Sequence, residues 1–104
     1  MVGAFDRANV KRLTGHFLAW GVRCLKVKTG ITAAEDLDRV GLVREIAGPQ
    51  MPITIDSNCG WSLPTAKTVL AKLQALDVKL AEQPIPPGDA EALADVRRST
   101  SIPI

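Results

Sequence analysis

The chain has 104 residues, of which 46% are hydrophobic and 23% are charged, and its formal net charge is +2. This length suffices for one small domain with a modest core, and the ordinary charge content argues against a disordered chain. The small net charge, with basic residues alternating with acidic ones, argues against a nucleic-acid-binding protein, and no apolar run reaches the ~20 residues that a membrane-spanning helix needs.

The two cysteines indicate the redox environment. Cys24 and Cys59 have no CxxC spacing and no partner histidine, so neither a structural disulfide nor a zinc site is expected. Met1 is followed by a mixed polar stretch rather than by a basic segment and an apolar core, so we predict no signal peptide. A cytoplasmic protein without membrane association is therefore expected.

The segment 6–20 is predicted to be a helix that precedes the first strand. Its apolar side chains recur at helical spacing and are expected to face the core: Val10, Leu13, Phe17 and Trp20. Gly15 weakens this pattern, because glycine is a poor helix former.

A strand, a turn and a helix then occur three times, with a period of about 27 residues. The strands are predicted at 22–28, 52–56 and 78–82. The helices that follow begin at capping residues, namely Thr32 with Glu35, Ser62 with Pro64, and Asp89. Their inward apolar positions are predicted to be Leu37, Val40, Val43 and Ile46, then Val69, Leu70, Leu73 and Leu76, then Leu93 and Val96.

This alternation predicts the fold class. Strands that alternate with helices of this length form parallel βαβ units with right-handed crossovers. A period below ~30 residues without a GxGxxG sequence favours a barrel over a dinucleotide-binding fold. We therefore predict an α/β protein whose parallel βα repeats form part of a (β/α)8 TIM barrel, with about three βα units and, at 102–104, the start of a fourth strand.

Two lysines lie on one face of the first strand. Successive strand residues point to opposite faces, so Lys26 and Lys28 share a face with Cys24, whereas Leu25 and Val27 share the other. Lysines that face a barrel axis need a reason, because burial of an unpaired ammonium is costly. The alternative is an edge strand whose lysines lie in water and hinder aggregation. The spacing alone leaves both interpretations open.

The next two strands each end in a carboxylate, Asp56 and Glu82. The carboxyl ends of barrel strands are where active-site groups converge, and oxygen ligands from separate strands suit a hard cation such as Mg²⁺. A lysine is normally a poor base, but a neighbouring ammonium and a nearby cation both favour its neutral form. The alternatives are a turn residue for Asp56 and a charge that precedes a helix for Glu82.

Three motifs in register carry a family resemblance: Lys26-Val-Lys28-Thr-Gly30, Ile55-Asp-Ser-Asn-Cys-Gly-Trp61 and Ala81-Glu-Gln-Pro84. They resemble the successive strand-end motifs KxK, DxN and E(E/Q)P of the muconate-lactonizing enzyme and mandelate racemase branch of the enolase superfamily. The resemblance extends from about Val10 to Ile104. A lysine or histidine base beside Mg²⁺ is a known pattern of that superfamily.

The resemblance implies a role for each matching residue. Lys28 is implied to be the catalytic base, and Lys26 the lysine that polarises the substrate carboxylate. Asp56 and Glu82 are implied to be two of three Mg²⁺ ligands, and Asn58 a polar neighbour of the site. The implied reaction removes the proton α to a carboxylate and stabilises an enolate, as in a racemase, an epimerase or a cycloisomerase. The implied substrate is a small carboxylate, and no organic cofactor is expected.

The same resemblance implies that residues 1–104 are one part of a C-terminal-type barrel domain. The N-terminal capping domain, the remaining barrel strands, the third carboxylate ligand and an opposing acid/base lysine are expected to lie outside these residues. We therefore expect the isolated chain to be inactive.

Two alternatives remain open. The first is a non-catalytic, truncated barrel fragment stabilised by self-association, because an incomplete barrel is expected to expose two strand edges and an inner apolar face. A homo-oligomer is expected on this basis. The second is an unrelated βα-repeat domain, in which the other strand ends would not converge with Lys28.

Overall fold

The computed structural model describes residues 1–104, in which helices and parallel strands alternate along the chain. The elements are α1 (Arg7–Ala19), β1 (Leu25–Lys28), α2 (Ala33–Ala47), β2 (Ile53–Asp56), α3 (Leu63–Leu73), β3 (Val78–Glu82) and α4 (Ala90–Arg98). A short 3-10 turn at Gln74–Leu76 follows α3. The strand order is β1-β2-β3 with both pairings parallel, which confirms the α/β class and the βα repeat.

Each helix begins where a side chain accepts a hydrogen bond from an otherwise free backbone amide. The capping residues are Asp6, Thr32, Ser62 and Asp89. The predicted capping box of α2 has different geometry, because Glu35 accepts from the Thr32 hydroxyl at 2.7 Å rather than from its amide. None of the helices combines the length and the apolarity needed to cross a lipid bilayer.

The helices cover one face of the sheet, and that face holds the core. Every strand contributes buried side chains to one cluster of 19 hydrophobic residues, which also includes Val40, Val43, Val69 and Leu70. Burial of such a side chain contributes about 1.5–3 kcal/mol relative to exposure. The strand residues in this cluster are Leu25, Val27, Ile53, Ile55, Val78 and Ala81.

The other face of the sheet, here called the open face, has a polar composition. Strand pairing places Lys26, Thr54 and Leu80 in one row across the sheet, and Lys28, Asp56 and Glu82 in the next. Leu80 is the only apolar side chain of these two rows. The prediction of an apolar inner face is therefore wrong, because the residues that alternate with the core residues are mostly charged.

Short chain segments contact both edges of the sheet. Val2 forms a parallel bridge with Val27, and its amide donates to the Lys26 carbonyl at 2.8 Å. At the other edge, the Ala81 amide donates to the Pro103 carbonyl at 2.9 Å. The segment 102–104, where the start of a fourth strand was predicted, thus joins β3 through a single backbone hydrogen bond. The two sheet edges that were expected to be exposed are therefore partly covered.

Two apolar residues predicted to face the core are exposed, Trp20 by 73% and Leu93 by 39%. Trp20 is the C-cap of α1 and its amide still donates to the His16 carbonyl, so it keeps the helical direction, but no other element covers that side. Its ring lies edge-on to Phe17, with ring centroids 5.8 Å apart. Leu93 borders a groove beside the loop between β3 and α4. In α1 the buried side chains are Val10 and Thr14.

Two glycines allow the loops after β1 and β2 to touch. A Cβ atom at Gly30 would lie 2.1 Å from the Ser57 carbonyl oxygen, and one at Gly60 would lie 2.2 Å from the Gly30 carbonyl oxygen. The obstructing atoms belong to the backbone, which cannot rotate away as a side chain could. Only glycine therefore fits at either position.

We expect Gly60→Ala to lower the free energy of unfolding by about 1–3 kcal/mol or more, because the new methyl group overlaps backbone. Gly15→Ala is the matched control, since nothing lies within 4 Å of a Cβ there. It should raise the free energy of unfolding by about 0.5–1 kcal/mol by favouring the helix. Urea unfolding followed by circular dichroism measures both changes, and a stabilising effect of Gly60→Ala would contradict the close approach.

Candidate active site

The carboxyl ends of the three strands bring the predicted site residues together on the open face. Lys28 pairs with Asp56 across β1 and β2, and Asp56 pairs with Glu82 across β2 and β3. Lys26 lies on the same face two residues before Lys28, and Asn58 lies two residues after the end of β2. Strand register therefore brings all the predicted residues to the carboxyl ends of the strands.

Lys26 bridges the two carboxylates. Its Nζ donates to Glu82 Oε2 at 2.5 Å and lies 3.4 Å from Asp56 Oδ2. The hydrogen bond to Glu82, with a further contribution from Asp56, raises the pKa of Lys26 above its ordinary value. Lys26 is therefore an ammonium at neutral pH, which suits electrostatic polarisation of a ligand rather than proton abstraction.

Asp56 is the most enclosed member of the site, with a side chain only 9% exposed. Its Oδ1 accepts a hydrogen bond from the Asn58 amide at 3.0 Å, while its Oδ2 faces Lys26. This local bond folds the backbone back over the carboxylate and accompanies the φ of +42° at Asn58. One oxygen of Asp56 thus stabilises the turn that follows β2, and the other faces the candidate site.

The Lys28 ammonium is half-buried and has no hydrogen-bond or ion-pair partner in the chain. Its backbone is held on both sides, because its amide donates to the Val2 carbonyl at 2.8 Å and its carbonyl accepts from Arg39 Nη1 at 3.0 Å. The edge-strand interpretation is partly right, since β1 ends the strand order. Its lysines nevertheless share a face with two carboxylates.

Backbone hydrogen bonds continue beyond the strands and hold the loops of the site. The Thr29 and Ser57 hydroxyls are also 2.9 Å apart. The loops after β1, β2 and β3 are therefore extensions of the sheet rather than independent segments. The backbone hydrogen bonds that continue beyond the strands run from the amide of one residue to the carbonyl of another, at 2.7–3.2 Å: Thr29 to Asp56, Ser57 to Glu82, Cys59 to Gln83 and Trp61 to Pro84.

Sequence reasoning missed Asp36, whose carboxylate is fully buried behind the loops of the site. It accepts hydrogen bonds from the Gly30 amide and from the Trp61 indole nitrogen. An acidic residue in the first turn of a helix is common, because it complements the helix dipole. No spacing in the sequence distinguishes Asp36 from such a residue.

Comparisons with known proteins identify the family. A family model described as Enolase C-terminal domain-like matches residues 9–104. The chain belongs to this family. It is 34% identical over 84 residues to the D-Ala-D/L-Ala epimerase of Cytophaga hutchinsonii, a match that covers 81% of this chain and 23% of that protein. It is 31% identical over 100 residues to the N-succinyl-L-Arg/Lys racemase of Bacillus cereus, covering 95% and 27%.

Solved structures of this enolase family match the fold. A racemase from Streptomyces coelicolor A3(2) with bound magnesium has a TM-score of 0.89 and 30% identity, covering 97% of this chain and 30% of that chain. The L-Ala-D/L-Glu epimerase from Bacillus subtilis has a TM-score of 0.91 and 28% identity, covering 96% and 29%. The chain thus spans less than a third of the length of these relatives.

These matches decide two of the predictions. Membership of the mandelate racemase and muconate-lactonizing enzyme branch, predicted from the three motifs, is confirmed. The alternative of an unrelated βα-repeat domain is wrong.

The enolase-family chain offers two carboxylates to a cation. No group of three or more His, Cys, Asp or Glu side chains is placed to hold a metal ion. Asp56 Oδ2 and Glu82 Oε2 nevertheless both approach one cationic group, the Lys26 ammonium. Carboxylate oxygens are the donors that Mg²⁺ prefers, and Mg²⁺ usually retains several waters. The chemistry of these two carboxylates therefore suits a hard cation such as Mg²⁺, which would compete with Lys26 for them.

Glu82→Gln should return the pKa of Lys26 towards its ordinary 10.5, because the Glu82 carboxylate is the largest cause of the upward shift. The ion pair of Lys26 and Glu82 stabilises the folded state below the ordinary pKa of lysine. This stabilisation is lost as the pH rises through the higher pKa that Lys26 has in the folded state. Nitrogen NMR titration of the lysine ammonium groups measures the shift. Glu91→Gln, at an exposed position in α4, should leave it unchanged, and an equal effect of both variants would contradict the assignment.

Proposed function

We propose that this chain supplies part of the active site of a Mg²⁺-dependent enzyme that removes the proton α to a carboxylate. The observation that carries the proposal is the row of Lys28, Asp56 and Glu82 across three adjacent strand ends. Racemases and epimerases with at least 30% identity to this chain add to it. The whole activity belongs to the complete enzyme, since the chain spans about a quarter of the length of those relatives.

Each charged residue of the site has a distinct task in this proposal. Asp56 and Glu82 would hold the cation, in place of their present contacts with Lys26. A bound divalent cation neutralises the negative charge that develops on the substrate carboxylate as the α-proton leaves. Lys26 remains an ammonium and attracts a carboxylate oxygen of the substrate. Lys28, whose side-chain nitrogen has no hydrogen-bond or ion-pair partner in the chain, accepts the α-proton at Nζ as the neutral amine.

The substrate in this proposal is a small carboxylate with an acidic α C–H bond. Epimerisation of a dipeptide or of an amino acid derivative is favoured over cycloisomerisation. A dipeptide epimerase from Cytophaga hutchinsonii, solved with Mg and the dipeptide D-Ala-L-Val, has a TM-score of 0.89 and 27% identity to this chain. Asn58 lies beside Asp56, where its exposed amide side chain can contact such a ligand.

The isolated chain is proposed to be inactive. It supplies two carboxylate ligands rather than three, and the open face leaves the site accessible to water, which weakens electrostatic interactions. A non-catalytic fragment that self-associates is the second candidate, favoured by Leu80 of β3, which is 40% exposed on the largely polar open face. The homo-oligomer and the cytoplasmic location stay predictions.

Cation binding is tested with Mn²⁺, whose unpaired electrons broaden nearby NMR signals. Mn²⁺ should broaden the amide signals of Ser57, Asn58 and Gln83 before those of α4, and excess Mg²⁺ should reverse the effect because both ions prefer oxygen ligands. The double variant Asp56→Asn with Glu82→Gln should abolish the selective broadening, and Glu91→Gln should not. Selective broadening that survives the double variant, or that never occurs, would contradict the metal site.

Inactivity of the isolated chain is tested by following α-proton exchange of small dipeptides in D₂O with Mg²⁺. We expect no exchange above the rate of the buffer, because the site lacks a third ligand and excludes little water. Exchange above that rate would show the chain to be active alone. Its loss in Lys28→Met, with retention in Lys11→Met, would then identify Lys28 as the base.

A further inference from the structure

A buried carboxylate on α2 joins the two loops that follow β1 and β2. The side chain of Asp36 has no exposed surface. Its Oδ2 accepts hydrogen bonds from the Gly30 amide at 2.9 Å, from the Ile31 amide at 3.1 Å and from Trp61 Nε1 at 2.8 Å. Gly30 and Ile31 are two and three residues beyond Lys28, the last residue of β1, whereas Trp61 belongs to the loop after Asp56.

The charge of Asp36 is balanced by a buried partner that also contacts the site backbone. Arg39 Nη1 donates to Asp36 Oδ1 at 2.9 Å and to the Lys28 carbonyl oxygen at 3.0 Å. A buried carboxylate is tolerated only when it is paired and hydrogen-bonded, and both conditions hold here. The pair of Asp36 and Arg39 therefore holds the end of β1 through both its backbone carbonyl and the amides that follow.

The loops that Asp36 joins are already in direct contact, so a small shift of one is transmitted to the other. Gly30 and Gly60 leave no room for a Cβ atom between the two backbones. The Thr29 and Ser57 hydroxyls are hydrogen-bonded in the same region. Asp36 lies on the helix side of this contact, opposite the open face, and so it acts through other residues rather than on a ligand.

We propose that Asp36 is a positioning residue that fixes the separation between the strand ends bearing Lys28 and Asp56. This inference rests on the proposed function for its consequence, because that separation sets the distance from the proposed base to the proposed cation. Asparagine cannot replace Asp36 without loss, since its NH2 group would face donors in either orientation: the backbone amides and the indole in one, and the Arg39 guanidinium in the other.

Arg44 offers a matched control on the same helix. Its guanidinium donates to the carbonyl oxygens of Gly48, Met51, Leu76 and Asp77, which lie near the amino ends of β2 and β3. Asp36 and Arg44 thus each form hydrogen bonds with four groups, at opposite ends of the strands, although only two of the partners of Asp36 are backbone groups. Arg44→Lys should loosen the amino ends of β2 and β3, whereas Asp36→Asn should loosen the carboxyl ends of β1 and β2.

Amide hydrogen exchange in the 104-residue chain distinguishes positioning from general stabilisation. In Asp36→Asn, exchange of the Thr29 and Ser57 amides should rise at least about tenfold, the factor expected when hydrogen bonds to a carboxylate are lost. The Leu25 amide, which donates to the Pro52 carbonyl at the other end of the strands, should change much less. Arg44→Lys should give the reverse pattern. Uniform acceleration at both ends in Asp36→Asn would overturn the proposal.

A second readout follows the geometry of the site directly. In the presence of Mn²⁺, the broadening of the Lys28 amide relative to that of Asn58 should change in Asp36→Asn and stay constant in Arg44→Lys. Trp61→Phe removes one of the hydrogen bonds to Asp36, together with part of a buried ring, and should give a smaller change in the same direction. It also provides the test if Asp36→Asn does not fold. Wild-type chain without selective Mn²⁺ broadening would contradict the proposed function alone, and hydrogen exchange would still decide the role of Asp36.

Discussion

The parallel pairing of β1, β2 and β3, which places Lys28, Asp56 and Glu82 in one row, is the constraint on which the site depends. Side chains alternate between the two faces of a strand, so a slip of one residue in β2 would turn Ile55 towards water and Asp56 into the core. Ile53 and Ile55 are fully buried, and this burial opposes any such slip. The apolar residues that stabilise the sheet therefore also determine which polar residues meet on its open face.

The charges on the open face are balanced by this arrangement. Lys26 lies between Asp56 and Glu82, whose carboxylates would otherwise repel each other as like charges. The ion pairs are partly exposed and therefore screened, so they contribute little to stability and can be exchanged for other partners. A divalent cation placed between the carboxylates would release the Lys26 ammonium and leave an excess of positive charge. In the proposed function, that excess attracts the anionic carboxylate of the substrate.

Local features of the sequence predicted most of the fold and the composition of the site. Helix starts at Thr32, Ser62 and Asp89 depend on neighbouring residues alone, and strand alternation placed Lys26 and Lys28 on one face. The role of Asp36 could not be predicted, because its partner Trp61 is 25 residues away along the chain. Trp20 and Leu93 were assigned to the core wrongly, since helical spacing does not establish whether a partner element covers that side.

One irregularity in the sheet explains why Glu82 belongs to the site at all. Ile53 pairs with Val78, but Thr54 pairs with Leu80, so Lys79 has no partner on β2. Without this shift Asp56 would lie beside Ala81, and the carboxylate of Glu82 would lie one residue beyond the row. The burial pattern of β3 records the same break, since Lys79 and Leu80 are exposed in succession. Extra residues of this kind are frequent next to active sites, where they re-aim a side chain. The convergence of Asp56 and Glu82 on one cationic group thus depends on a local departure from regular pairing, which alternation of residue types cannot reveal.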